Sequence, residues 1–165
     1  MAKANCNVLP GEPGLVIGQP TAIDPSRAPA GQHVLWVQVR VLPSRIRGDA
    51  AESIAGTDWD AVKEAYADRV VRIIERYAPG FVASILGRAV LSPADLERDN
   101  PNLVGGDSLS GSHHLDQNFF FRPGFGWSRY RSPVDRLYMV GASTWPGAGA
   151  GAGSGFMLAK MLAGA

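Results

Sequence analysis

Residues 137–155 read LYMVGASTWPGAGAGAGSG: four apolar residues, a glycine, the segment ASTWP, and a run in which every second position is glycine. An apolar stretch, FMLAKML, follows at residues 156–162. This order predicts a short buried strand, a glycine-rich turn and a helix. It would bring bare backbone to a helix N-terminus, where free N–H groups and the positive dipole end suit an electron-rich ligand. A flexible linker has the same composition, but it would be awkward between a buried strand and an apolar helix.

Residues 33–42 carry an aliphatic side chain at every second position, which predicts the clearest strand of the chain. One of its faces is purely aliphatic and is expected to be buried. That face consists of Leu35, Val37, Val39 and Val41. The other face carries Trp36 among polar groups and is either a cavity wall or a solvated sheet surface. Leu15–Gly18 is a second short strand bounded by turn formers.

Residues 59–77 carry apolar side chains at steps of three and four, which predicts a long amphipathic helix. Thr57 is the expected N-cap, and Pro79 with Gly80 ends the helix. The remaining positions form a charged face that we interpret as solvated rather than as a binding patch. That face consists of Lys63, Glu64, Asp68, Arg69, Arg72, Glu75 and Arg76.

After the helix, the apolar residues 81–91 predict a second long strand. Ser92 and Pro93 then start a short helical turn, with the serine as its cap. Residues 99–133 show no period, which indicates a functional loop or short elements that the pattern does not reveal.

The composition, 45% hydrophobic and 19% charged over 165 residues, is that of a globular domain. A net charge of +1 gives no reason to expect nucleic acid or an anionic membrane surface as a partner. Cys6 is the one cysteine, so no disulfide can form within the chain. Without a signal-peptide pattern or an apolar run of membrane-spanning length, the expected location is the cytoplasm.

Residues 137–155 and the helix after them resemble the C-terminal flavin motif of phytoene-dehydrogenase-like and amine-oxidase-like FAD proteins. In that family an apolar strand precedes Gly-Ala-Ser/Gly-Thr, a variable residue that is often histidine, Pro-Gly, a small-residue turn and a helix. Residues 24–29, Trp59-Asp60 and Arg122-Pro123 also look like the substrate-domain part of one branch of the family. The resemblance therefore covers essentially the whole chain.

The resemblance implies that FAD lies along the turn, with the N-terminus of the last helix supporting the N1–C2 carbonyl region of the ring. The cofactor-binding residues it implies are Gly141, Ala142, Ser143, Thr144, Trp145, Pro146, Gly147, Ala148, Gly149 and Gly151. Catalytic residues stay unassigned, and Trp36, Gln117 and Trp145 are candidates for the cavity wall. Trp145 stands where many relatives carry histidine, so no catalytic role is carried over to that position.

The family's N-terminal Gly-x-Gly-x-x-Gly turn does not occur in this sequence. We therefore expect a C-terminal fragment, or one subunit of a split enzyme, that shares its FAD with an N-terminal FAD-binding half or subunit. On this interpretation the chain supplies the substrate cavity and the isoalloxazine-side wall for hydride transfer to or from an apolar or amphipathic small molecule, and is inactive alone. Any membrane contact would be peripheral, and homo-oligomerisation stays open. The alternative is a non-catalytic assembly module that kept the fold without binding flavin.

The expected fold is α/β (α+β) in two parts. Residues 10–130 would form a substrate-domain portion, with a mixed or antiparallel sheet under the long helix. Residues 134–165 would form the strand, glycine-rich turn and helix of a FAD-binding domain. Apolar strand and helix faces of this second part would then be exposed without its partner.

Other functional patterns are weaker. His113, His114 and Asp116 are a poor metal-ligand set, and no metal site is expected. A hydrolase triad built on Ser110, Ser112 or Ser143 lacks a nucleophile-elbow sequence. Arginines near 122 and 129–131 form either an anion site or ordinary salt bridges. The aromatic residues of this region line a cavity next to the flavin or form plain core. They are Phe119, Phe120, Phe121, Trp127 and Tyr130.

Overall fold

The computed structural model describes residues 7–109, 111, 114–147 and 152–164. Three of the expected cofactor-binding residues, Ala148, Gly149 and Gly151, lie outside these ranges, as do Cys6, Ser110, Ser112 and His113. The chain divides into two compact units, Met1–Pro101 and Asn102–Ala165, and each is described by itself. Assignment of residues 10–130 and 134–165 to a substrate domain and a FAD-binding domain stays a prediction.

The first unit contains two small two-stranded sheets. β1 (Val8–Leu9) pairs in parallel with β4 (Gly48–Asp49). β2 (Leu15–Gly18) pairs antiparallel with β3 (Trp36–Val39). The strand predicted at β2 is confirmed, and the combination of small sheets with helices agrees with the α/β class.

β3 is shorter than the strand predicted at residues 33–42. The chain leaves the strand at Val41, which has a positive φ of 61° and is 52% exposed. Leu35 at the other end is 38% exposed, so the expected burial of these two residues was wrong. A partner of four residues limits the ladder to four pairs. Of the four residues on the aliphatic face, Val37 and Val39 are half-buried against the core.

The long helix, α1 (Trp59–Tyr77), forms where the apolar period predicted it. Its N-cap is Asp58, whose carboxylate accepts the N–H of Asp60 at 3.1 Å, and not the expected Thr57. The apolar stripe of α1 packs on residues of the loops and sheets to form the core of this unit. The buried cluster consists of Leu9, Ile46, Trp59, Val62, Tyr66, Val70 and Ile74.

The sequence predicted that the charged face of α1 is solvated. This prediction is wrong for Arg69. The residue is 7% exposed, and its guanidinium donates to both carboxylate oxygens of Asp49, at 2.6 and 2.5 Å. Nη1 also donates to the carbonyl oxygen of Pro10, which accepts the Tyr66 hydroxyl as well. This network ties α1 to β4 and to the chain after β1. The guanidinium holds the pKa of Asp49 far below its usual range, and burial raises the pKa of Tyr66 to about 12.

The strand predicted at residues 81–91 is wrong, because the segment begins with a short helix, α2 (Phe81–Ser84), and the rest is irregular. The Glu75 carboxylate accepts the N–H groups of Gly80 and Val82, both at 2.7 Å, and so favours this turn over an extended chain. The expected cap at Ser92 is confirmed. Ser92 and Asp95 form a reciprocal capping box at the start of α3 (Pro93–Asp99).

In the second unit, residues 102–121 form three short 3-10 turns, Val104–Gly106, Leu115–Gln117 and Phe119–Phe121. The last helix, α4 (Gly153–Ala163), confirms the predicted one. The buried strand expected at residues 137–141 is not formed: a single antiparallel bridge links Tyr138 to Arg131. No helix in the described ranges is both long and apolar enough to cross a membrane.

Candidate functional site

The candidate site is the glycine turn, defined as residues 141–147, in the second unit. Both of its end glycines have left-handed backbone, with φ of 114° at Gly141 and 99° at Gly147. Thr144 lies between them and is 1% exposed. Its N–H and its hydroxyl both donate to the Gly141 carbonyl oxygen, at 3.1 and 2.9 Å, and its own carbonyl accepts the Gly147 N–H at 2.6 Å. The hydroxyl of Thr144 is thus committed to the turn, and its side chain points away from solvent.

The start of α4 supports one end of the turn. The Gly141 N–H donates to the Ser154 hydroxyl oxygen at 2.9 Å, and Ser154 is 8% exposed. Gly153 fits under Pro146, because a Cβ added there would lie 3.2 Å from the proline Cγ. Among the residues that the structure describes, no side chain caps the first turn of α4, and no acidic residue lies in that turn. This helix end therefore keeps its positive character close to the turn.

Arg122 supports the two ends of the turn from inside. It is 4% exposed, its Nη1 donates to the Ala142 carbonyl oxygen at 2.6 Å, and its Nε donates to the Gln117 carbonyl oxygen at 2.9 Å. A Cβ added at Gly147 would lie 3.7 Å from Nε, Cζ and Nη1 alike. Equal distances to three guanidinium atoms place Gly147 over the face of the guanidinium plane. Arg122 thus joins the loop that carries Gln117 to both ends of the turn.

The outward side of the turn consists of backbone and three exposed residues, Ser143, Trp145 and Pro146, with Trp145 40% exposed. Within the described residues, the N–H groups of Ala142 and Ser143 donate to no protein acceptor. A Cβ added at Gly141 would meet no described atom within 4 Å. The turn therefore offers backbone donors and free space, which suits close approach of a flat, electron-rich ligand.

The cavity candidates are divided between the two units. Gln117 and Trp145 lie in the second unit, and Gln117 connects to the turn through Arg122. Trp36 lies on β3 in the first unit and is 52% exposed. The His114 and Asp116 part of the metal hypothesis lies in the second unit, and the described residues contain no group of three metal-binding side chains.

The first unit has its own apolar groove of about 530 Å³ between β2, Leu35, the C-terminal end of α1 and the start of α2. Its walls are mainly aliphatic and aromatic, and one carboxylate, Glu12, lies at its edge. The side chains that define it best are Leu15, Ile17, Leu35, Ile73, Tyr77 and Phe81. The sequence patterns did not predict this groove. They indicated separately the alternating residues of the strands and the helix residues at steps of three and four that line it.

The sequence did not indicate that Arg122 and Ser154 hold the turn. The sequence left an anion site or a salt bridge open for Arg122, and the structure shows its Nε and Nη1 donating to backbone carbonyl oxygens. Ser154 stood in the glycine-rich run without a separate interpretation. No local signal identifies either contact, since each joins residues 13 to 20 positions apart in the chain.

Comparison with known proteins finds related chains. The chain is 43% identical over 131 residues to pyridine nucleotide-disulfide oxidoreductase domain-containing protein 2 of Rattus norvegicus, covering 79% of this chain and 21% of that protein. It is 32% identical over 151 residues to phytoene desaturase (neurosporene-forming) of Rhodobacter capsulatus, covering 90% and 26%. It is 29% identical over 144 residues to a limonene dehydrogenase subunit of Castellaniella defragrans, covering 87% and 25%.

These relatives are oxidoreductases, and the chain is homologous to part of them. The resemblance to phytoene-dehydrogenase-like proteins, indicated by the C-terminal motif, is confirmed. The chain spans about a fifth to a quarter of the length of these relatives. No protein-family model matches the chain, and no solved structure matches it.

Proposed function

We propose that this chain is the C-terminal part of a FAD-dependent oxidoreductase related to phytoene dehydrogenases, and that its glycine turn forms the protein wall against the flavin. The observation that carries the proposal is the geometry of residues 141–147. Two left-handed glycines frame outward-facing backbone N–H groups next to an uncapped helix start. FAD, when bound, supplies hydride acceptance or delivery.

The residues of this chain would bind and orient the cofactor. The N–H groups of Ala142 and Ser143 can donate to oxygen atoms of the ribityl or pyrophosphate region. The positive end of α4 would favour negative charge on a ring carbonyl bound near it. Trp145 and Pro146, both exposed on the turn, would cover an apolar ring surface and exclude water.

The substrate that we propose is an apolar or amphipathic small molecule. The groove of the first unit, about 530 Å³, has the size of a small-molecule site and a mainly apolar wall. The printed names of the relatives, phytoene desaturase and limonene dehydrogenase, point to apolar substrates for those proteins. The match covers only 25% of the limonene dehydrogenase subunit, so in that relative the matched part belongs to a much longer chain.

The test is the visible flavin absorption of the purified chain, alone and co-expressed with its N-terminal FAD-binding half. We expect stoichiometric flavin in the complex and little or none in the lone chain. Tight flavin binding by the lone chain would contradict the shared site. Absence of flavin from both samples would favour the non-catalytic assembly module.

A matched pair of variants separates the turn from general backbone strain. Gly141→Ala and Gly31→Ala both place a side chain at a positive φ, 114° and 79°, and both Cβ positions are open in the described residues. Gly141→Ala should reduce flavin content in the complex, because the methyl group enters the space that we assign to the cofactor. Gly31→Ala, in the first unit, should leave flavin content unchanged. Equal flavin content in the two variants would exclude the turn as the flavin wall.

One observation favours the assembly alternative as well. Large apolar side chains of the second unit are exposed, which the sequence predicted for its helix in the absence of a partner. Among them are Phe120 at 69%, Phe125 at 81% and Phe156 at 61%. An N-terminal half would cover such a surface with or without a flavin, so flavin content and complex formation must be measured on the same sample.

A further inference from the structure

Arg122 lies in the second unit at the point where three chain segments meet. Its Nε donates to the Gln117 carbonyl oxygen, its Nη1 donates to the Ala142 carbonyl oxygen, and its guanidinium face lies against Gly147. A Cβ added at Gly111 would lie 3.8 Å from its Nη2. The side chain is 4% exposed, so it does not reach the outer surface of the turn itself.

The peptide plane between Ala142 and Ser143 connects this buried contact to the outer surface. That peptide bond is trans, since the cis bonds of the described chain are Arg122–Pro123 and Trp145–Pro146. In a trans peptide the carbonyl and the N–H of the next residue point in opposite directions in one rigid plane. Because Arg122 holds the Ala142 carbonyl inward, the Ser143 N–H is directed outward.

We propose that Arg122 is the positioning residue that aims the Ser143 N–H at the bound cofactor. This inference rests on the proposed function and adds to it the residue that organises the turn. The Ser143 N–H donates to no protein acceptor among the described residues, and Ser143 is exposed, so the group is available to an electron-rich ligand atom. The ligand atom would be an oxygen of FAD that accepts a hydrogen bond from this preorganised backbone N–H.

The geometry requires arginine and not merely a cation. The planar guanidinium offers Nε and Nη1 donors in a fixed fork, and the two acceptors belong to segments 25 residues apart. A lysine ammonium at the end of a flexible stem cannot hold the same two carbonyls in a fixed plane or present a flat face to Gly147. Lysine at 122 therefore keeps the charge and loses the positioning.

The first experiment measures hydrogen exchange on the chain alone and needs no flavin. Arg122→Ala and Arg122→Lys should both increase exchange in peptides that cover residues 114–121 and 141–147. Peptides from α1 should be unchanged. The matched control is Arg129→Gln, because Arg129 is exposed in the same unit. Unchanged exchange at 141–147 in both Arg122 variants would overturn the proposal.

The second experiment uses the complex with the N-terminal half and measures FAD affinity and the flavin absorption spectrum. Loss of charged hydrogen bonds should weaken FAD binding roughly tenfold or more in Arg122→Ala and shift the absorption bands. Added methylguanidinium should restore affinity and spectrum in Arg122→Ala by occupying the space of the lost guanidinium, whereas ammonium should not. Wild-type affinity and spectrum in Arg122→Lys would overturn the proposal.

The two experiments separate the two hypotheses. If the wild-type complex holds no flavin, the proposed function is wrong, and so is the proposal that the Ser143 N–H binds a flavin. The exchange data would still decide whether Arg122 orders the turn. If the wild-type complex holds flavin and the Arg122 variants hold it unchanged, only the role of Arg122 is wrong.

Discussion

The two units of the chain are stabilised in different ways. The first has a 19-residue helix whose apolar stripe is buried, and it closes its core with an internal ion pair. In the described part of the second unit the buried residues are Tyr130 and three polar side chains, Arg122, Thr144 and Ser154. Apolar burial thus defines the first unit, whereas hydrogen bonds to backbone define the second.

The largest effect should come from breaking the ion pair of the first unit. Asp49→Ala leaves the guanidinium of Arg69 buried without its carboxylate and should lower the free energy of unfolding by about 3–5 kcal/mol. The side chains of the pair are only 2% and 9% exposed, so water cannot replace the lost partner cheaply. Urea unfolding followed by circular dichroism measures the change, and hydrogen exchange assigns it to α1.

The control is a salt bridge on the surface of the same helix. Arg76 and Glu12 meet at 2.7 Å, but both are mostly exposed, so Arg76→Ala should change the unfolding midpoint little. A similar loss of stability in Asp49→Ala and Arg76→Ala would show that burial of the charge is not what stabilises the first unit. Increased exchange in the glycine turn of Asp49→Ala would break the distinction between the units.

The second prediction concerns pH. The pKa of Asp49 is held far below its usual value by Arg69, so the stabilisation is present above about pH 4 and is lost as the pH falls further. Burial raises the pKa of Tyr66 to about 12. An unfolded tyrosine ionises near pH 10, so stability should fall between about pH 10 and 12, by roughly 2–3 kcal/mol. Unfolding free energies across pH test both limbs, and Tyr66→Phe should flatten the alkaline one. An alkaline limb that persists in Tyr66→Phe would assign it to another group.

The buried arginine shows what the sequence could have predicted in the first unit. Residues 62, 66, 69 and 73 follow steps of four, three and four, so Arg69 lies on the apolar stripe that the same period defined. The interpretation of Arg69 as solvated followed its residue type rather than its position. By contrast, the contact with Asp49 joins positions 20 apart, and no local pattern indicates it.

The third prediction compares one glycine in each unit. Gly56 has a φ of 135°, and a Cβ there would lie 2.8 Å from a methyl carbon of the buried Val62. Gly147 has a φ of 99°, and its nearest neighbours would lie at an ordinary 3.7 Å. Gly147→Ala should therefore cost about 1–2 kcal/mol from backbone strain, and Gly56→Ala should cost more because a clash is added.

Thermal unfolding and hydrogen exchange measure the glycine pair. We expect Gly56→Ala to destabilise α1 and Gly147→Ala to loosen only residues 141–147. Equal stability losses with the same exchange pattern would mean that the two units unfold together and that their different packing has no local consequence.

Two helices and one apolar run show why local sequence predicted helices better than strands in this chain. Hydrogen bonds within one segment make α1 and α4, so their sequences predicted them. A strand needs a neighbour, and the apolar run at residues 137–141 finds only the single bridge to Arg131. The glycine turn was predicted as a turn from its glycines. Its supports, Arg122 and Ser154, depend on contacts across the chain that composition does not encode.

The smallest effect should come from the start of α1, where the local sequence does not distinguish two possible N-cap residues. The Asp58 carboxylate accepts the Asp60 N–H, whereas Thr57, the residue that the sequence favoured, lies one position too early. Asp58→Ala should cost about 1 kcal/mol, and Thr57→Ala should cost almost nothing. Because both residue types are good caps, only the backbone conformation at the first turn distinguishes them. Urea unfolding of the two variants measures the difference, and a larger loss in Thr57→Ala would move the start of the helix by one residue.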